Sequence, residues 1–220
     1  MKPRTGVRML LAAGLLLQAA AAFSDTVLFS EDFEGIPHSA ASAAPVGWVS
    51  MFGTVDSLRE PVYDIDCAGG SNGCIDLDGS SQNSALLLTR DDFSLTAGQQ
   101  YELSFDLSGN QRTPASPTDS VIFGLNDSVT NQLVALGDTV TVAWDAAFNT
   151  YTLLFTAATD LTAYIFFSNV GPYANDNIGP ILDNVRLAAV PIPAAGWLLI
   201  SGLVGLVGVA RRRQNGGVPA

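Results

Sequence analysis

Between residues 101 and 107 apolar and polar side chains alternate without a break: Tyr101, Leu103, Phe105 and Leu107 are separated by Glu102, Ser104 and Asp106. A period of two puts every second side chain on one face, so this segment predicts a strand with one buried and one wet face. Shorter apolar-rich segments recur at 26–29, 47–52, 61–65, 85–89, 120–125, 132–136, 139–143, 150–156, 162–168 and 181–187, divided by Gly, Asn, Asp, Ser and Pro. Tyr164, Ile165, Phe166 and Phe167 are apolar in succession, as in a central strand. No amphipathic helical period interrupts this series. The pattern predicts an all-β domain, a β-sandwich, of which the jelly roll is a common form. Hairpin turns are expected at 97–99 and 126–128, and a surface loop at 36–47.

Both ends depart from this pattern. Lys2, Arg4 and Arg8 precede an apolar run from Met9 to Leu17 and an alanine-rich stretch, the layout of a secretory signal peptide. Small residues at Ala20 and Ala22 place the cut before Phe23, giving a signal peptide of 1–22; a cut before Asp25 is the alternative. The domain then spans 23–189. After it, Pro191 and Pro193 remove two backbone donors and end the last strand. Residues 194–210 carry no charge and are followed at once by Arg211, Arg212 and Arg213. A stretch of this length is a short membrane helix, and the arginines place its far end, with the tail 214–220, in the cytoplasm.

Removing the ends sharpens the charge. All 21 acidic residues lie between Asp25 and Asp183, against four basic ones (Arg59, Arg90, Arg112, Arg186), so the exported part carries −17. Such a domain repels phosphate backbones, which excludes nucleic acid as a partner. It suits hard cations such as Ca²⁺, and it equally suits solubility outside the cell. Cys67 and Cys74 face each other across a glycine-rich loop. Outside the cell a disulfide is the expected outcome; a two-thiol metal site is the rival, and His38 is the one histidine that could join it.

The C-terminal residues resemble a known sorting signal. Val190, Pro191, Pro193 and Trp197, the apolar stretch and the closing Arg211, Arg212 and Arg213 look like the PEP-CTERM signal, with Ile192 where the namesake motif has its central Glu. That resemblance covers residues 190–213. It implies an exosortase as partner, a membrane-anchored intermediate, and a Gram-negative host that makes an extracellular polysaccharide matrix. A plain membrane anchor is the alternative.

Two further stretches resemble galactose-binding-like jelly rolls, which include many carbohydrate-binding modules. Asp32, Phe33, Glu34 and Gly35, with Gly47 and Trp48, look like the opening; Ile181, Leu182, Asp183, Asn184 and Val185 look like the closing strand. The resemblance implies a structural calcium held by Glu34 and Asp183, with Asp32 as a third ligand.

The residues themselves add a second acidic set. Asp64 and Asp66, and Asp76 and Asp78, flank the cysteine loop at i, i+2 spacing, which on a strand presents each pair on one face. Paired carboxylates repel unless a cation neutralises them, so this set is a second calcium candidate. Trp48, Phe52, Trp144, Phe148, Tyr151 and Tyr173 are aromatics that could stack on a sugar ring, with Trp48, Trp144 and Tyr173 as the leading candidates. Catalysis finds little support. His38 is the only histidine, and nothing selects two acids out of 21 as a glycosidase pair. The expected function is non-catalytic: a surface or matrix protein that binds polysaccharide or has a structural role. A surface glycan hydrolase is the alternative.

Overall fold

The computed structural model describes residues 25–191 apart from 43, 61, 71, 72, 82 and 83. The signal peptide 1–22, the membrane helix 194–210, the arginine cluster and the tail lie outside the described residues. Among the described residues no helix is long and apolar enough to cross a membrane.

Among the described residues fourteen strands form the fold: β1 (Thr26–Glu31), β2 (Ser39–Ser42), β3 (Trp48–Met51), β4 (Val55–Arg59), β5 (Gly73–Asp76), β6 (Leu86–Thr89) and β7 (Phe93–Leu95), then β8 (Gln100–Ser108), β9 (Thr118–Asp127), β10 (Leu133–Leu136), β11 (Val140–Ala143), β12 (Asn149–Thr156), β13 (Leu161–Asn169) and β14 (Ile181–Val190). One sheet runs β12-β8-β14-β5-β4-β2; the other runs β10-β9-β13-β6-β3, with β11 on β9 and β7 on β13. Along one edge β14 pairs with β8. Its other edge is shared, with β5 taking Ile181 and Leu182 and β1 taking Val185 to Ala189. All strand pairings are antiparallel, and the result is the expected sandwich, an arrangement that fits a jelly roll.

The alternation at 101–107 is realised side chain by side chain. Tyr101, Leu103, Phe105 and Leu107 are buried between the sheets, and Glu102, Ser104 and Asp106 face outward. Phe105 meets Phe123 of β9 edge-on at 4.6 Å and Phe167 of β13 at 5.0 Å, so one ring joins both layers. Edge-to-face pairs place the positive ring edge against a negative face, a contact that adds to the burial of apolar area. Behind this group Trp48 packs on Phe29, Phe33 and Phe167. The continuous apolar run of β13 belongs to the central strand of its sheet, as expected, and Phe166 is buried along with its neighbours. Phe166 turns to the outer face, and its partner Gly124 has no Cβ to obstruct it; a Cβ there would meet the ring at 3.1 Å.

Four expectations are corrected. The segment 61–65 is not a strand: Val62–Asp64 is a tight turn with Tyr63 and Asp64 at φ 60° and 57°, and Ile65 caps a small second core of Leu58, Cys67, Cys74 and Ile181. The loop at 36–47 contains β2, a short edge strand on β4. The turn at 97–99 is no hairpin, because it carries the chain from β7 in one sheet to β8 in the other, with Gly98 at φ 78°. The strands β4, β5 and β7 had no predicted counterpart. In β4 and β5, Asp56, Ser57 and Asp76 are buried, polar positions that break the apolar pattern a strand is recognised by. The β9–β10 hairpin does close where a turn was expected, with Asp127 receiving the backbone N–H groups of Val129 and Thr130.

Truncating the ring that joins the layers should cost more than its area alone. Phe105→Ala is expected to lower unfolding free energy by about 3–5 kcal/mol in a urea titration; a loss below about 1 kcal/mol would contradict this packing.

Candidate functional site

Antiparallel pairing gathers the connections at two ends. At one end Thr26 lies opposite Ala189 and Gln100 opposite Val190, so both termini of the described chain leave there. The other end collects the close of β5, β8 and β13 and the start of β4, β9 and β14. Here the domain buries acids: Asp56, Asp76, Asp78, Asp119 and Asp183 are each 0% exposed.

Asp76 closes β5. Its Oδ1 accepts the backbone N–H of Asp78 (2.9 Å) and of Gly179 (3.0 Å), and its Oδ2 pairs with Arg112. Gly179 is required at this approach, since a Cβ would stand 2.6 Å from Asp76 Oδ1. Burial pushes the pKa of Asp76 well above the usual carboxylate range, and the Arg112 guanidinium opposes that rise. Arg112 also lies 5.8 Å over the Tyr63 ring, so this cation faces one carboxylate and one aromatic.

Asp78 follows β5, and Asp119 is the second residue of β9. Asp78 Oδ2 accepts the backbone N–H of Asp176 (3.0 Å), and Asp119 Oδ2 accepts Asn110 Nδ2 (3.3 Å). The second oxygen of each has no hydrogen-bond partner. Burial raises Asp78 to about 6; backbone N–H groups of residues 176–178 ease that rise, and the Asp176 charge adds to it. Burial likewise raises Asp119 to about 7, with Asp176 and Asp78 adding repulsion and Asn110 and Asn169 easing it. Asn110 is the organiser: it also binds Ser116 O through Nδ2 and accepts the N–H of Arg112 and of Thr113.

The acids named from the sequence fall into separate places. Asp183 Oδ2 accepts the N–H of Ala68 (2.9 Å) and its Oδ1 that of Asn184 (2.7 Å), so it clasps the cysteine loop to β14. Glu34 is half-buried, and exposed Asp32 caps its backbone N–H at 3.2 Å. Asp64 and Asp66 are exposed and sit on a turn, so they do not present the paired strand face expected of them. Among the described residues no group of three or more His, Cys, Asp or Glu side chains could hold a metal ion. Cys67 and Cys74 form the disulfide, with Cα atoms 5.6 Å apart, which removes the two-thiol metal alternative. Asp119, Asn110 and Arg112 were not singled out in the sequence. The signal was there: Asp119 leads the inward row Val121, Phe123 and Leu125, where an acid is out of place.

The three aromatics also separate. Trp48 is 1% exposed and belongs to the core, so it offers no face to a sugar. Tyr173 is half-buried in the connection from β13 to β14. Trp144 lines an open cleft of about 340 Å³ with Asp66, Gln111, Asp145 and Phe148. Its backbone is fixed on both sides, donating to Pro117 O (3.0 Å) and accepting from Gln111 N (2.8 Å). The Gln111 amide in turn holds the backbone of Asp66 by two hydrogen bonds, at 3.0 and 2.9 Å. A flat ring with two carboxylates and an amide beside it can stack on a sugar and bind its hydroxyls.

No family model matches this chain, and no curated protein matches it. Solved structures do. The CBM22-1 xylan-binding domain from Paenibacillus barcinonensis Xyn10C aligns with TM-score 0.51 and 15% identity over 78% of this chain and 99% of that one. A Stig cyclase, Fisc from Fischerella sp. TAU, aligns with TM-score 0.54 and 20% identity over 76% of this chain and 99% of that one. An arabinose-bound GH51 α-L-arabinofuranosidase aligns with TM-score 0.54 and 10% identity over 73% of this chain, which spans only 26% of that enzyme. At these identities the likeness is one of fold.

The raised acids fix the sign of a pH dependence. Asp78 and Asp119 hold protons in the folded domain up to about 6 and about 7, and the unfolded chain releases them near pH 4. Their contribution to stability is therefore fully present below about pH 4 and lost as pH rises through 6 to 7. With a chelator present, the melting temperature should rise on acidification from pH 8 to 5, and Asp119→Asn should flatten that slope. A wild-type profile that is level over this range would contradict the burial of these acids.

Proposed function

We propose that this chain is a non-catalytic, exported polysaccharide-binding protein whose sandwich takes a glycan at the Trp144 cleft. The observation that carries the reading is the cleft: Trp144, its backbone held on both sides, flanked by Asp66, Asp145 and Gln111 at the end of the domain away from its termini. The fold likeness to a xylan-binding module supports the substrate class. The hydrolase alternative has only a fold likeness that spans a quarter of the enzyme concerned. Calcium as a steadying cation belongs to the same proposal; the sequence names Glu34, Asp32 and Asp183 for it, although Asp183 already receives two backbone donors.

Delivery is part of the proposal as well. The residue pattern after Ala189 supports recognition by an exosortase and passage through the inner membrane to the surface or matrix of a Gram-negative cell. Pro191 emerges at the terminal end of the sandwich, which leaves the Trp144 end facing outward while the tail is held in the membrane.

Two measurements test these halves separately. In affinity electrophoresis against soluble xylan and matrix polysaccharides, Trp144→Ala should weaken retardation at least about tenfold, as expected for loss of an aromatic anchor. Phe52→Ala, which truncates an 83% exposed ring elsewhere, should leave it unchanged. Retardation of wild type by none of these glycans, or release of reducing sugar from one of them, would overturn the binding reading. In cells that carry an exosortase, replacing Arg211, Arg212 and Arg213 by Ala should stop the chain at the membrane fraction; unaltered surface delivery would overturn the sorting reading.

A further inference from the structure

We infer that the buried loop end binds a divalent cation, calcium by its chemistry, between Asp78 and Asp119, with the Asn177 amide oxygen and the Ser116 hydroxyl as neutral ligands. Four oxygens carry the inference. Asp78 Oδ1, Asp119 Oδ1, Asn177 Oδ1 and Ser116 Oγ are all buried without a close hydrogen-bond partner; the Asn169 amide eases Asp119 only in part, its own Nδ2 being buried and unpartnered as well. They come from four separate places: the residues after β5, the start of β9, the connection from β13 to β14, and the connection from β8 to β9. Contacts draw those places together. The N–H of Asp176 binds Asp78 Oδ2 at 3.0 Å, and one amide group, Asn110 Nδ2, spans Ser116 O at 2.9 Å and Asp119 Oδ2 at 3.3 Å.

A buried oxygen with no donor is costly, and two of these four belong to carboxylates that face each other's charge. No basic side chain of the described residues relieves them: Arg112 is committed to Asp76 and Tyr63, Arg59 to the Glu34 and Ile36 carbonyls, Arg90 to Trp48 O, and Arg186 to Asp25. A cation satisfies all four oxygens at once. The donor set is oxygen only, with two carboxylates, an amide and a hydroxyl, which selects a hard ion and leaves room for water to complete its shell. Such an ion would pin the start of β9 to the connection that carries Tyr173. None of the four ligands lines the Trp144 cleft, so the inference stands apart from the glycan reading.

Calorimetry on the full chain, stripped with a chelator and titrated with calcium chloride, tests it. The expected result is saturable binding with a Kd below about 1 mM, the range of extracellular calcium modules, and a melting temperature that rises with calcium. Asp78→Asn and Asp119→Asn should each weaken binding at least tenfold. Both keep the side-chain shape and remove a buried charge, so melting curves of the unliganded variants report whether they fold. Glu34→Gln, which removes a ligand of the separately proposed Glu34–Asp183 calcium, should leave unchanged the binding step that Asp78→Asn and Asp119→Asn weaken. The inference is overturned by the absence of heat and of any melting shift up to about 10 mM calcium, tenfold above that range. It is equally overturned by binding in which no step is weakened by Asp78→Asn and Asp119→Asn, or by loss of that step in Glu34→Gln. Xylan retardation in the chelated sample is scored independently, so loss of one property does not disguise loss of the other.

Discussion

The edge-on meeting of Phe105 with Phe123 and Phe167 is the contact on which the rest of the domain depends. Two sheets with no helix between them cohere only through side chains that reach across the gap, and Phe105 reaches two strands of the opposite layer. Tyr151 stacks on the same ring from β12, which brings the outermost strand of its sheet into the same group. The connection between β8 and β9 begins after Ser108, close in sequence to Phe105, and carries Asn110 and Arg112 toward Asp119 at the start of β9. The polar end thus follows closely along the chain from the apolar centre.

That polar end works against the fold that positions it. Burying five acids at one end of a small domain is unfavourable, and the fold offsets it unevenly. Asp76 has three donors and Asp56 takes both the N–H and the hydroxyl of Ser80, whereas Asp78 and Asp119 each retain an oxygen without a close hydrogen-bond partner, with only the Asn169 amide near the one on Asp119. Residues that solubility alone had selected would sit on the surface, where a carboxylate is hydrated. Their burial is the argument that the acidity of this chain has a local purpose as well as a general one.

How much of this could be read from the sequence depends on whether a residue's role is periodic or tertiary. The strand at 101–107 was legible because alternation is a local property, and so was the division of the chain into short strands. The short β4 and β5 were not, because polar Asp56, Ser57 and Asp76 are buried within them and a loop carrying Ile65 and Cys67 covers Leu58 and Cys74, and nothing local announces such a cover. Asp76 and Asp78 were found for their spacing, yet spacing could not separate the saturated carboxylate from the unsatisfied one. Trp48 and Trp144 look alike in sequence; one lies beneath Phe33 and Phe29, the other beside an open cleft. The C-terminal pattern was legible as a pattern only.

The place of β14 carries a mechanical meaning. It is hydrogen-bonded to β8 from Ile181 to Val190 and to β1 over its latter half, and antiparallel ladder bonds lie across the strand axis. Tension applied at Pro191 and resisted at the Trp144 end runs along that axis. The ladder bonds are then strained together, in shear, instead of opening one after another from an edge. A strand in this setting behaves as a rivet: a pull on Pro191 against the far end of the sandwich loads its whole ladder at once and does not peel it apart.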